Sequence, residues 1–396
     1  MEWTNDQERA FAAVSKWMED PHGVFRLFGF AGTGKTTLAK RVAEDLARTP
    51  VFAAYTGKAA GVLTSKGCPG ATTIHKLIYA PKDRSKKRLR ELEAEKIALD
   101  ESSPDFTTEL TRLTREIAEE TKRLKSPLFD LRSESSLDLA DLLILDETSM
   151  VSEEIAADLE SFGTPILALG DPAQLQPVKA KAAYTSARPD YLLTEIVRQA
   201  EGSPILELAR IAREGLAPTV GSYGDGSARV IRREDLNATM AMDADQILVG
   251  RNRTRRANNV RMRELLGYSG GPVPGDRVVC LRNNHENGLL NGSTWIVIEA
   301  NDLDDSWGLS IKEEGGDREL TVTAHKQPFD DEEIPWWEAK DHDSFDYAYA
   351  MTVHKAQGSQ WDKVLVFDES HVFRNERSNW LYTAVTRAAK ELTIVV

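Results

Sequence analysis

Lys35 closes the run Gly29-Phe30-Ala31-Gly32-Thr33-Gly34-Lys35-Thr36, and Thr37-Leu38-Ala39-Lys40 follows it directly. Glycines at this spacing let backbone N–H groups approach an oxyanion closely, and a helix starting at Thr36 and Thr37 turns the positive end of its dipole toward it. The lysine reaches the β- and γ-phosphates, and the hydroxyl of Thr36 ligates Mg²⁺. The predicted chemistry is therefore phosphoryl transfer from a nucleoside triphosphate, with Gly29, Ala31, Gly32, Thr33, Gly34, Lys35, Thr36 and Thr37 as the binding set. A second run, Leu143-Ile144-Leu145-Asp146-Glu147, ends a buried strand in two carboxylates. Asp146 is expected to hold the metal ion, and Glu147 to act as general base on the attacking water. A third, Leu169-Gly170-Asp171-Pro172-Ala173-Gln174-Leu175-Gln176-Pro177, passes from strand to polar loop, and Gln174 is expected to touch both the γ-phosphate and the water.

Such residues need a rigid frame. Val24–Phe30, Val51–Tyr55, Leu142–Asp146, Ile166–Gly170, Gln246–Gly250, Lys363–Asp368 and Leu392–Val396 are short continuous apolar runs, each followed by a polar or helical stretch. Runs of that kind predict strands buried on both faces of a parallel sheet, hence an α/β class. Two segments break the alternation. Between Pro81 and Lys125, Leu89, Leu92, Lys96 and Leu99, then Leu110, Leu113, Ile117, Glu120 and Leu124, follow helical spacing, with Ser103 and Pro104 as N-cap and first helical residue of the second helix. This predicts a projecting antiparallel helical hairpin, either a solvated spacer or a docking arm for a protein partner. From Gly271 to about His342, strands over Arg277–Leu281, Thr294–Ile298 and Glu319–Val322 with turns at Asn291-Gly292 and Gly315-Gly316 predict a small inserted β-barrel. Asp330–Asp343, with Trp336-Trp337, is expected to be a loop or flap.

The formal charge of −13 disfavours a chain-wide nucleic-acid surface, but it does not exclude a narrow local track. Arg251, Arg253, Arg255, Arg256, Arg261 and Arg263 cluster in a stretch without an acid. No run of apolar residues is long enough for a membrane span. The N-terminus does not read as a signal peptide, and Cys68 and Cys280 lack metal-ligand spacing and read as reduced thiols. A cytoplasmic location is expected. No cluster of carboxylates suggests nuclease chemistry.

Taken in order, the motifs resemble those of superfamily 1 DNA helicases of the 1B class, close to the Dda and RecD types, over nearly the whole chain. Thr4-Asn5-Asp6-Gln7 resembles the adenine-reading Q motif, with Gln7 as reader. Leu193-Thr194-Glu195-Ile196-Val197-Arg198-Gln199 resembles motif IV. Tyr349-Ala350-Met351-Thr352-Val353-His354-Lys355-Ala356-Gln357-Gly358 resembles motif V, with Gly358 at the nucleotide. Leu381-Tyr382-Thr383-Ala384-Val385-Thr386-Arg387-Ala388 resembles motif VI. The resemblance implies that Arg198 and Arg387 act as arginine fingers from a second α/β unit, neutralising charge that grows on the γ-phosphate.

It also implies a single-stranded DNA track. Thr56 and Lys58 lie in a motif Ia-like segment, and Thr73 and His75 in a motif Ib-like one. Asn252, Arg253, Thr352, His354 and Lys355 come from the second unit. His75 either stacks on a base or is a structural histidine; Phe129, between motifs Ib and II, either wedges the fork or plugs a local core. Four parts are implied: a RecA-like domain over 1–78 and 137–186, an inserted pin and helical hairpin over 79–136, a second RecA-like domain over 187–270 and 344–396, and an SH3-like barrel over 271–343. The implied activity is that of a monomeric ATP-dependent DNA helicase on single-stranded and fork DNA, moving 5′ to 3′ in replication, recombination or repair, in a bacterial cytoplasm or a phage-infected host. An RNA helicase of the same class, or an ATPase subunit of a recombination or exonuclease assembly, is the alternative.

Overall fold

A strand with apolar residues on both faces is stable only where both faces are covered, which helices on either side of a parallel sheet achieve. The apolar runs meet that requirement twice. The computed structural model describes residues 3–81, 87–99, 106–125, 129–176, 181–197, 202–284, 287–330, 332, 334 and 342–396. It divides into two units, Met1–Ile74 with Ser136–Val396, and His75–Ser135.

In the larger unit, strands β1 (Val24–Gly29), β2 (Pro50–Ala54), β3 (Thr72–Thr73), β6 (Leu142–Asp146), β7 (Ile166–Gly170) and β8 (Tyr191–Leu193) form a parallel sheet in the order β3-β2-β6-β7-β1-β8. Its apolar core gathers side chains from helices α1 (Asn5–Trp17), α2 (Lys35–Leu46) and α3 (Gly57–Ser65); α7 (Glu153–Glu160) lies between β6 and β7 in the chain. Because β7 separates β1 from β6, the loops after these three strands must meet at one edge of the sheet.

A second sheet has the order β17-β11-β18-β19-β10-β9, from β9 (Gly221–Tyr223), β10 (Ala228–Ile231), β11 (Gln246–Val249), β17 (Ala350–Thr352), β18 (Trp361–Phe367) and β19 (Ala388–Val395). Its pairings are parallel except that of β9 with β10. Helices α8 (Pro204–Arg213), α11 (Val353–Ala356) and α12 (Arg377–Val385) contribute to its core. The same core takes in Leu175, fully buried, from the loop that follows β7 of the first sheet. The short strands β3, β8, β10 and β17 were not legible as apolar runs.

Between α10 (Asn252–Leu265) and β17, the chain forms an antiparallel sheet of β12 (Arg277–Cys280), β13 (Thr294–Asp302), β14 (Ser306–Glu313), β15 (Glu319–His325) and β16 (Phe345–Tyr347), in the order β15-β14-β13-β12-β16. Just before β16, Asp343 donates its N–H to the Thr323 carbonyl (2.8 Å) and accepts from the His325 N–H (2.9 Å), bringing the chain at one edge alongside the other. The predicted Asn291-Gly292 turn joins β12 to β13, and Gly292 has a positive φ of 87° that favours glycine. A short helix, α9 (Ala238–Asp243), precedes β11.

The smaller unit carries most of α4 (Ile74–Ile78), then β4 (Tyr79–Pro81) paired antiparallel with β5 (Phe129–Leu131). Between those strands lie α5 (Lys87–Ile97) and α6 (Phe106–Lys125). Arg112, early in α6, donates to Glu95, late in α5 (2.9 Å), as an antiparallel pair requires, and Leu92 and Leu113 are buried. The expected cap at Ser103-Pro104 lies outside the described residues, as do Trp336 and Trp337. Among the described residues no helix is long and apolar enough to cross a membrane.

The arginine cluster of α10 is corrected by the fold. Arg263 chelates Asp276 (Nε to Oδ1, 3.0 Å; an NH2 to Oδ2, 3.0 Å) and caps the carbonyls of Gly270 and Gly271. Arg255 pairs with Asp346, and Arg251 with Glu369. Much of the cluster's charge is thus spent on fixing α10. Asp276, fully buried, also accepts from Tyr349 Oη (2.9 Å) and Val273 N (2.9 Å), so its oxygens are saturated. Removing one partner of such a pair leaves a buried charge uncompensated. Asp276→Ala is therefore expected to cost about 3–5 kcal/mol of stability, read as a lower urea midpoint; an unchanged midpoint would show that the pair is energetically idle.

Candidate active site

The loop between β1 and α2 turns through Gly32 (φ 81°) and Gly34 (φ 78°). A Cβ on Gly29 would sit 2.6 Å from Thr33 Oγ1 and 2.8 Å from Leu193 Cβ, so glycine there is a packing requirement. Lys35 Nζ donates to the carbonyls of Gly29 (2.7 Å) and Phe30 (3.1 Å), which fixes the ammonium at the loop mouth. Thr36 Oγ1 donates to Asp146 Oδ2 across 3.4 Å, and the other oxygen of Asp146 accepts from the Glu147 N–H (2.8 Å). Thr37 follows in the first turn of α2.

Glu147 has φ 54° and ψ 43°, an unusual backbone for a residue with a side chain. Strain of this kind is on the order of 1–3 kcal/mol and persists where the surroundings enforce it. Lys35, Thr36, Asp146, Glu147, Asp171 and Gln174 from the first sheet, and Gly358, Ser359, Thr386 and Arg387 from the second, line one cavity of about 200 Å³. Burial pushes the Glu147 carboxyl up, Asp146 and Asp171 reinforce the shift, and Arg387 and Lys35 oppose it. Burial likewise raises Asp171, against Lys35 and the hydroxyl of Tyr382. Gln174 is buried, and its side-chain oxygen accepts from Ser149 Oγ (3.4 Å).

Arg387 reaches this cavity from the turn between α12 and β19. Its donors go to neutral oxygens: Thr383 O (3.1 Å), Ser359 O (3.2 Å) and Thr386 Oγ1 (3.2 Å). Among the described residues it has no carboxylate partner, although it is buried. A guanidinium held this way keeps its charge available to whatever fills the cavity. Gly358 approaches α3 so closely that a Cβ would sit 2.8 Å from Thr56 Oγ1. Arg198, the other expected finger, lies outside the described residues.

A second cavity, of about 440 Å³, adjoins the loop at Phe30 and Ala31 and is lined by Thr194, Ile196, Leu206, Arg213 and Tyr382 among others. The Arg213 guanidinium lies 3.8 Å over the Phe30 ring. Gln7 is placed as a brace: it completes a capping box with Thr4 and donates to the Thr33 carbonyl (3.2 Å), behind Gly34.

The expected track residues gather in part. At the C-terminal end of β2, Thr56 caps α3 and Thr73 ends β3 beside Ala54. Lys58 lies over the Trp361 ring (4.2 Å), and burial pushes its ammonium down to about 8, helped by Arg277 and opposed by Glu314. Val249 and Thr352 are in register at the ends of β11 and β17. Exposed Asn252 and Arg253 begin α10 just after β11, and His354 and Lys355 lie in α11 just after β17. His354, lowered by burial, lies against Phe373 with the rings tilted by 42° and their centroids 5.4 Å apart. His75 and Phe129 belong to the smaller unit; the His75 ring lies 5.5 Å from Tyr79, and the side chain of Phe129 lies outside the described residues.

Sequence reasoning missed two residues that the fold makes central. Leu175 was read only as part of a polar loop, and Tyr382 only as a letter in a motif. Tyr382 sits within Trp380–Val385, a stretch of α12 that is buried throughout.

A family model described as an AAA domain matches residues 3–232, and one described as a UvrD-like helicase C-terminal domain matches residues 347–395. The chain is 28% identical to the ATP-dependent RecD2 DNA helicase of Deinococcus radiodurans over 93% of this chain and 46% of that protein. It is 27% identical to the RecBCD enzyme subunit RecD of Mycolicibacterium smegmatis over 98% of this chain and 70% of that protein. The chain spans about half the length of the RecD2 relative. A solved structure of two coordinating Pif1 helicases at forked dsDNA superposes with a TM-score of 0.57 at 18% identity, covering 100% of this chain and 92% of that one. Bacteroides Pif1 bound to ssDNA gives 0.56 at 19%, covering 100% and 92%. At these identities the likeness establishes the fold, a RecA-like parallel-sheet core.

The capping box predicts a test of Gln7. Gln7→Ala is expected to cost about 1 kcal/mol of stability and to weaken ATP and GTP binding alike, measured by melting and nucleotide titration. A loss confined to ATP would assign Gln7 to adenine reading instead.

Proposed function

Since the chain belongs to the AAA-domain family of P-loop proteins, in the superfamily 1B branch of Dda/RecD-like type, we propose that it is an ATP-dependent DNA helicase that moves 5′ to 3′ along single-stranded DNA and opens duplex forks. The observation that carries this reading is the shared cavity: Lys35, Asp146, Glu147 and Gln174 on one sheet face Arg387 from the other. A nucleotide seated there touches both halves, so binding and hydrolysis change the force between them. The phosphates lie against Gly29, Ala31, Gly32, Thr33, Gly34, Lys35, Thr36 and Thr37, and the base occupies the neighbouring 440 Å³ cavity.

Thr36 Oγ1 and Asp146 Oδ2 are hard oxygens 3.4 Å apart at the loop mouth, a donor set that suits Mg²⁺ completed by phosphate and water. Bound there, the ion supplies charge stabilisation at the phosphates. Glu147 takes the proton of the attacking water, Gln174 orients that water, and Arg387, with Arg198, balances charge on the γ-phosphate.

The larger unit comprises two RecA-like domains, over 1–78 with 137–186 and 187–270 with 344–396. The sheet β12–β16, within 271–343 and its flank, is an SH3-like barrel, supported by the bonds of Asp343 to Thr323 and His325. DNA runs over Thr56, Lys58, Thr73 and His75, and over Asn252, Arg253, Thr352, His354 and Lys355. Residues 79–136 form the pin, with Phe129 as the wedge. The two free, buried cysteines suit a cytoplasmic protein.

Matched duplexes with 5′ or 3′ single-stranded tails test the reading: ATP-dependent opening of the 5′-tailed substrate alone is expected, and opening of only the 3′-tailed one would refute the polarity. Lys35→Ala should abolish DNA-stimulated ATPase and leave DNA binding largely intact. Glu147 must be ionised to act as base, and its carboxyl is raised. Turnover should therefore fall with decreasing pH already above the usual carboxylate range. Glu147→Gln should be inactive throughout that range. Phe129→Ala is expected to keep DNA-stimulated ATPase and lose unwinding; equal retention of both would remove the wedge.

A further inference from the structure

Tyr382 lies on α12, in the second sheet's layer, and its side chain is buried. Its hydroxyl accepts the Ala31 N–H (2.7 Å) and donates to Asp171 Oδ2 (2.6 Å). The direction is forced. A backbone N–H can only donate, so the phenol oxygen accepts there, and its one proton is left for the carboxylate. Burial and the neighbouring Asp171 push the phenol's ionisation upward, which keeps that proton in place. Asp171 Oδ1 is held by the Ala173 N–H (3.0 Å).

Around this contact, the loop after β7 is stitched to the second sheet's layer. Leu175 N donates to Thr383 Oγ1 (2.9 Å), Gln357 Nε2 to Leu175 O (3.0 Å), and Asn379 Nδ2 to Gln174 O (3.1 Å). Tyr382 differs from these stitches in also gripping the phosphate-binding loop.

We propose that Tyr382 is a positioning residue for nucleotide hydrolysis: its hydroxyl fixes the separation of Ala31 in the phosphate-binding loop and Asp171 in the loop after β7, and does so only when α12 is docked. This rests on the reading of the cavity as an ATPase site. Through it, the docking of the DNA-gripping half sets the geometry in which Lys35 and Gln174 meet the γ-phosphate. Nucleotide affinity comes chiefly from the loop's own amides and Lys35, so the relay is expected to act on turnover rather than on binding.

The test uses the full chain and compares Tyr382→Phe, Asp171→Asn, the double variant and Thr383→Val by kcat and KM for ATP, with and without oligo-dT. Tyr382→Phe keeps the ring, and Thr383→Val removes a stitch of the same helix without touching the relay. Expected is a drop in DNA-stimulated kcat of about tenfold to a hundredfold in Tyr382→Phe, the loss that a hydrogen bond to a charged group converts to, with KM within about threefold. The double variant should be no worse than the worse single one, as members of one unit behave, and Thr383→Val should lose less than about threefold. Wild-type kcat in Tyr382→Phe, a rise in KM at unchanged kcat, additive losses, or an equal loss in Thr383→Val would each overturn the proposal. If the wild-type chain shows no DNA-stimulated turnover, the parent reading fails instead, and that control separates the two.

Discussion

Everything at the cleft depends on one short loop being anchored on two sides. Asp171 and Gln174 must face the phosphate cavity, while Leu175, beside them in the chain, is fully buried in the core of the other sheet. Burying a leucine side chain contributes roughly 1.5–3 kcal/mol, and satisfying its N–H and carbonyl with Thr383 and Gln357 avoids the penalty of unpaired polar groups. The loop thus cannot drift from the second sheet without exposing an apolar side chain and breaking those bonds together. That joint requirement makes it a bolt between two halves rather than a surface turn.

The large features were legible because they are local. A phosphate-binding loop is a contiguous string, and a strand buried on both faces is a contiguous apolar run, so β1, β2, β6, β7, β11, β18 and β19 could be read directly. What was lost depended on partners far away in sequence. The arginines of α10 looked like a basic surface because no acid lies among them, yet Arg255 meets Asp346 and Arg263 meets Asp276. Lys58, expected on the single-strand track, also lies on Trp361, a residue of the second sheet, a contact that no local pattern encodes. The bond of Tyr382 to Ala31 joins residues at opposite ends of the chain, and no periodicity encodes it.

The spending of those arginines also bears on the chain's acidity. With Arg255 and Arg263 committed to buried carboxylates, the second half offers few free cations at the ends of β11 and β17: chiefly Arg253 and Lys355, beside Asn252, Thr352 and a half-buried His354. A single strand lying there would meet mainly hydroxyls, amides and ring faces, with little long-range attraction.

The electrostatics of the cavity extend the same logic to the chemistry. Glu147 and Asp171 sit where burial raises their carboxyls, and of the cations that oppose this, Lys35 belongs to the same sheet but Arg387 to the other. Drawing the two sheets apart would take the charge of Arg387 away from Glu147 and, in the same movement, admit water and relieve the burial that raises its carboxyl. The two effects oppose each other, so the protonation of Glu147 depends on how the sheets are docked and not on the arginine alone.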